Sequence, residues 1–106
     1  MARATLSTHV LDTTNGVPAV GVAVSLLRDA TLAARGTTGQ DGRIARLGDE
    51  HEPGTYRLTF DVGPYYGALG LDTFLHTVTL EIRLSPGHQH VPLLLSRYGV
   101  VSYLGS

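Results

Sequence analysis

Glycine and proline constrain this chain more than any other feature. Thirteen Gly and five Pro among 106 residues cut it into short pieces. Short pieces favour strands of about five or six residues over helices of about eleven or twelve. Hydrophobic residues make up 42%, enough to build a core. A chain of this length holds one core, so residues 1–106 are expected to form one domain.

The pieces alternate as strands do. Thr5 to Asp12 alternates apolar and polar residues and runs into the turn-rich Asp12-Thr13-Thr14-Asn15-Gly16. Pro18 opens a second strand over about Gly21 to Arg28, and a third runs from about Leu32 to Thr37. Asp41-Gly42 marks a turn, and a short strand covers Ile44 to Leu47. Thr55 to Phe60 alternates cleanly. Pro64 suits a first helical turn and Gly70 an end, so one or two turns of helix are expected between them. Phe74 to Leu84 is the longest alternating run, with Val78, Leu80, Ile82 and Leu84 on one side. His88 to Leu95 and Gly99 to Tyr103 complete the set. About eight short strands and one helical turn indicate an antiparallel β-sandwich. Its edges invite pairing with another copy of the chain.

Charge and composition remove several functions. Eight basic residues face nine acidic ones, for a formal net charge of -1. That balance argues against nucleic acid or an anionic membrane held by bulk charge. No Cys is present, which excludes disulfides and thiolate chemistry. No apolar run approaches the roughly 20 residues of a spanning helix, and the start lacks a signal-peptide core, so a cytoplasmic location is expected. Every basic residue is Arg, a planar two-pronged donor. The five His are therefore the candidates for proton transfer near neutral pH.

His88-Gln89-His90 is the densest of these signals. Residues two apart on a strand share a face, so the two imidazoles project together. That suits a metal site, a proton-transfer pair or an exposed polar face. A catalytic metal needs a third ligand, for which His9 is the candidate. Taken alone, His9 reads as a partly buried structural His and Arg43 as a strand-end charge. His51, among Asp49, Glu50 and Glu52, reads as an exposed loop residue, and His76 as solvent-facing. Gly39-x-x-Gly42 lacks the Lys and long helix of a phosphate loop. There is no Ser-His-Asp pattern and no G-x-S-x-G.

Read together, the pieces resemble a known family. Leu6-Ser7-Thr8-His9-Val10-Leu11-Asp12 resembles the N-terminal signature of the transthyretin-like proteins. Gly36 to Arg43 is similar to that family's turn ending in Asp-Gly-Arg, and Pro53 to Asp61 to its central strand. His88-Gln89-His90-Val91-Pro92-Leu93-Leu94-Leu95-Ser96 resembles its H-x-H-V-P-L-L-L-S segment. Tyr103-Leu104-Gly105-Ser106 is similar to the terminal Y-R-G-S of the 5-hydroxyisourate hydrolases.

The resemblance implies an all-β, transthyretin-like (prealbumin-like) sandwich of two four-stranded sheets with one short helix. It implies a homotetramer, a dimer of dimers with active sites at the dimer–dimer interface. It assigns catalytic roles to His9, Arg43 and His90, and substrate contacts to Ser102, Tyr103, Gly105 and Ser106. The reaction implied is hydrolysis of 5-hydroxyisourate to 2-oxo-4-hydroxy-4-carboxy-5-ureidoimidazoline in urate breakdown. No metal or cofactor is expected. Leu104 stands where the hydrolases carry Arg, and Arg97 is the nearby basic residue that could replace it. Two other functions compete: a non-catalytic carrier of a small ligand, and a metal-binding sandwich using His9, His88 and His90. The His/Arg/His set argues against the carrier, because vertebrate transthyretins lack it.

Overall fold

A computed structural model of the chain describes residues 2–106. The strands are β1 (Ala4–Asp12), β2 (Val17–Pro18), β3 (Ala23–Arg28), β4 (Thr31–Thr37), β5 (Arg43–Ile44), β6 (Gly54–Asp61), β7 (Thr77–Leu84), β8 (Gly87–Leu95) and β9 (Val100–Ser102). One helix, α1 (Gly63–Ala68), follows β6. The strands form two sheets. One runs β2-β1-β8-β9, with β5 also paired to β1; the other runs β4-β3-β6-β7.

The alternation noted in the sequence becomes the core. Leu6 and Val10 of β1, Val24 and Leu26 of β3, Leu58 and Phe60 of β6, and Leu93 and Leu95 of β8 are all fully buried between the sheets. The helix closes one end by inserting Tyr66, which is also fully buried. Its hydroxyl and that of Tyr65 donate to the Asp12 carboxylate at 2.9 and 2.7 Å. Asn15 adds a side-chain and a backbone donor. Burial pushes the Asp12 carboxyl up, but these donors outweigh burial and hold it below the usual carboxylate value.

Four expectations from the sequence change. The sandwich is not wholly antiparallel, because β1 and β8 run parallel through nine residue pairs from Ala4↔Gly87 to Asp12↔Leu95. Ser85 and Pro86 carry the chain from β7 in one sheet to β8 in the other. β7 starts at Thr77, not Phe74, because the Phe74 amide donates to the Arg97 carbonyl in the turn between β8 and β9. Pro18 lies in β2 on the edge of β1, where its missing N–H costs no ladder bond. His51 is buried, at 7% exposure. It bridges to Ala4, its Nε2 lies 2.8 Å from the Leu47 carbonyl, and its ring meets Tyr56 edge-on. The acidic loop folds over the end of the sandwich and carries His51 inward.

Candidate active site

The site is built on the outer face of the first sheet. Leu6, Thr8, Val10 and Asp12 of β1 face the core, so Thr5, Ser7, His9 and Leu11 face outward. The parallel register sets His88 beside Thr5, His90 beside Ser7 and Pro92 beside His9. On the other edge of β1, the antiparallel β5 sets Arg43 opposite His9. Directly opposed residues hold their Cβ atoms about 5 Å apart. Arg43, His9 and His90, far apart in the chain, therefore share one small patch.

Short strands are enough for this placement. β5 is only two residues long, shorter than the Ile44 to Leu47 expected from the sequence. Asp41-Gly42 delivers Arg43 to the edge of β1. The Asp41 carboxylate accepts from the Arg43 amide at 3.0 Å, and Gly42 has φ of 76°. A Cβ at Gly42 would meet the Val10 carbonyl oxygen at 2.5 Å, so the turn approaches β1 as no other residue allows.

Hydroxyl groups hold the two His of β8. Ser7 Oγ lies 2.7 Å from His90 Nδ1 and 2.8 Å from His88 Nε2. Thr5 Oγ1 lies 2.7 Å from His88 Nδ1. The rings cover Ser7, which is 7% exposed although it points outward. Burial lowers the His90 pKa below the ordinary His value, and the positive fields of Arg43, His9 and His88 lower it further. The neutral form of His90 is thus favoured, with Nε2 as its remaining nitrogen.

The C-terminus closes against the same ring. The Gly105 amide donates to the His90 carbonyl at 2.8 Å. A Cβ on Gly105 would lie 2.9 Å from His90 Cδ2. Tyr103 and Ser106 are exposed nearby in sequence, while the Ser102 hydroxyl donates to the Pro92 carbonyl at 2.9 Å. Leu104 is exposed. Arg97 does not stand in for an Arg at that position. It lies beyond the C-terminal end of β8, donates to the Asp72 carbonyl at 2.6 Å and packs over Tyr98. Ser7 and Thr5 are the members of the patch that sequence reasoning missed. Their signal was the alternation Thr5, Ser7, His9, but only the parallel register reveals what faces them. Among the described residues, no group of three His, Cys, Asp or Glu side chains is arranged to hold a metal ion.

A family model described as "HIUase/Transthyretin family" matches residues 6–105. The chain belongs to this family. Among its family relatives, the 5-hydroxyisourate hydrolase of Salmonella typhimurium is 44% identical over 109 residues, covering 95% of this chain and 80% of that protein. The solved structure of Klebsiella pneumoniae 5-hydroxyisourate hydrolase superposes with a TM-score of 0.90 at 35% identity, covering 96% of this chain and 99% of the other. Sea bream transthyretin, solved in complex with thyroxine, superposes with a TM-score of 0.87 at 28% identity, covering 94% and 93%. A 5-hydroxyisourate hydrolase and a transthyretin thus share this chain's fold.

Proposed function

We propose that this protein hydrolyses 5-hydroxyisourate in urate breakdown, with His9, Arg43 and His90 as catalytic residues. The observation that carries the proposal is the patch itself: a neutral His90 beside a fixed cation and a second His on one open face. A neutral imidazole with a depressed pKa can take a proton from water at cellular pH. The water oxygen bonds to a ring carbonyl carbon of the substrate. Arg43 donates to the oxygen on which negative charge develops. The ring C–N bond then breaks, and the leaving nitrogen takes a proton from the imidazole pair. His9, opposite Arg43, is the second member of that pair. The name of the Salmonella and Klebsiella relatives supports the substrate assignment, and the His/Arg/His set supports hydrolysis over ligand carriage.

The proposal extends to the assembly. A homotetramer, a dimer of dimers, would place the patch at the dimer–dimer interface, where Ser102, Tyr103, Gly105 and Ser106 contact substrate. Two observations support it. β7 and β9 lie at the ends of their sheets, and a cleft of about 340 Å³ between them is lined by Leu80, Ile82, Leu84 and Tyr103. Four chains of 11.3 kDa should elute at about 45 kDa. The deciding experiment follows the ultraviolet absorbance of freshly made 5-hydroxyisourate. The wild-type protein should accelerate its decay, and His9→Ala and His90→Ala should not. Wild-type activity in the His90→Ala variant would remove the assignment.

A further inference from the structure

We propose that His88 is a positioning residue for His90, acting through the Ser7 hydroxyl to set which ring nitrogen of His90 carries the proton. This rests on the catalytic reading of His90. Thr5, His88, Ser7 and His90 form one continuous hydrogen-bonded chain with contacts of 2.7, 2.8 and 2.7 Å. An exposed His with no task beyond solvation has no reason to be held at both nitrogens, as His88 is.

The chain has a direction because the Ser7 hydroxyl has a single proton. It donates to one ring and accepts from the other. In the first arrangement Ser7 donates to His90 Nδ1, His88 Nε2–H donates to Ser7, and Thr5 donates to His88 Nδ1. His90 then carries its proton on Nε2 and can act as an acid. In the second arrangement every bond is reversed. His90 Nδ1–H donates to Ser7, Ser7 donates to His88 Nε2, and His88 Nδ1–H donates to Thr5. His90 Nε2 then has a free lone pair and can act as a base. Both arrangements give His88 Nδ1, His88 Nε2 and His90 Nδ1 a partner with neutral rings.

Reversal is a balanced proton transfer. When Nε2 of His90 takes a proton from water, the Nδ1 proton passes to Ser7 Oγ. The proton of Ser7 passes to His88 Nε2, and that of His88 Nδ1 passes to Thr5 Oγ1. The original proton of Thr5 leaves to solvent. No net charge remains on the chain, and His90 is left as the acid that the next step requires. This matters at a site where Arg43 and His9 already oppose a cationic His90.

The test is His88→Phe, which keeps a ring and removes both nitrogens. Because His88 is exposed, the substitution leaves the core untouched. Ser7 then loses its acceptor at His88 Nε2, which favours donation to His90 Nδ1 and the His90 proton on Nε2. Long-range proton–nitrogen correlation spectra at about pH 8, above the ordinary His value of about 6.5, read the tautomer directly. The wild type should populate the Nδ1–H form of His90, and His88→Phe should abolish it. The kcat should fall on the order of tenfold, with KM nearly unchanged. In a Ser7→Ala background, His88→Phe should leave the His90 tautomer unmoved. The same His90 tautomer in wild type and His88→Phe overturns the proposal, whatever the rates. If the wild type does not accelerate 5-hydroxyisourate decay, the substrate reading fails, while the spectra still decide the coupling.

Discussion

Gly105 is where the closure of the site can be probed with one methyl group. An added Cβ would lie 2.9 Å from His90 Cδ2 and 3.3 Å from the His90 carbonyl oxygen, where ordinary contact begins near 3.4 Å. The ring or the C-terminal segment must therefore give by about 0.5 Å, the difference between contact distance and 2.9 Å. The ring is not free to yield, because its Nδ1 is held at 2.7 Å from Ser7. A catalytic group misplaced by about 1 Å costs on the order of a hundredfold, so half that shift should cost about tenfold in Gly105→Ala. If the segment lifts away instead, the amide bond from Gly105 to the His90 carbonyl is lost, at about 1 kcal/mol. That lowers the melting temperature by no more than about 4–8 °C. Hydrolysis of fresh 5-hydroxyisourate and a thermal melt of the same sample separate the two effects. Full activity in Gly105→Ala would refute the idea that the C-terminus positions His90. A loss of activity matched by collapse of the melt would move the effect from the site to the fold.

Other outcomes follow from the same geometry. Arg43→Ala should lower kcat by roughly a hundredfold or more while the melt is unchanged, since the Arg43 side chain is exposed. Removing that cation should also shift the acid limb of the rate profile to higher pH. His90 works as a neutral base above its pKa, and Arg43 is one of the charges that depress it. Asp12→Asn places an amide group against tyrosine donors in a buried site and should cost about 2–3 kcal/mol, read by urea unfolding near neutral pH. Because the folded Asp12 pKa is depressed, its stabilisation is present above the ordinary carboxyl value of 3.8 and is lost as pH falls through the folded pKa. The gap between wild type and Asp12→Asn should therefore close in that acid window. Leu104→Arg should leave the melt unchanged, because Leu104 is 72% exposed, and should raise the hydrolysis rate.

Local chemistry carried much of this architecture in plain view. Alternation in Thr5 to Asp12 and Thr55 to Phe60 fixes which residues enter the core, and Asp41-Gly42 marks the turn that delivers Arg43. What stayed hidden depends on long-range register. Nothing near Ser7 says that His88 and His90 lie beside it, because the β1–β8 pairing joins positions 83 apart. The inward fate of His51 is equally invisible. Its neighbours Asp49, Glu50 and Glu52 read as a solvated loop, and the loop is indeed exposed around it. The backbone bridge to Ala4, the Leu47 carbonyl at Nε2 and the edge contact with Tyr56 turn that one ring inward. Phe74 misled in the opposite direction. Its alternation continues that of β7, but its amide is taken by the Arg97 carbonyl in the turn between β8 and β9.

The parallel pairing of β1 with β8 also sets the order in which the molecule can come into being. Ser7 and His9 are synthesised before their β8 partners and wait as half of an unmade ladder. His88 and His90 are made 83 positions later than their partners Thr5 and Ser7, and contacts of such long sequence separation form slowly. A nascent or truncated chain therefore holds isolated imidazoles but no patch. Activity should appear in one step with completion of the last strands, so that turnover reports a finished fold.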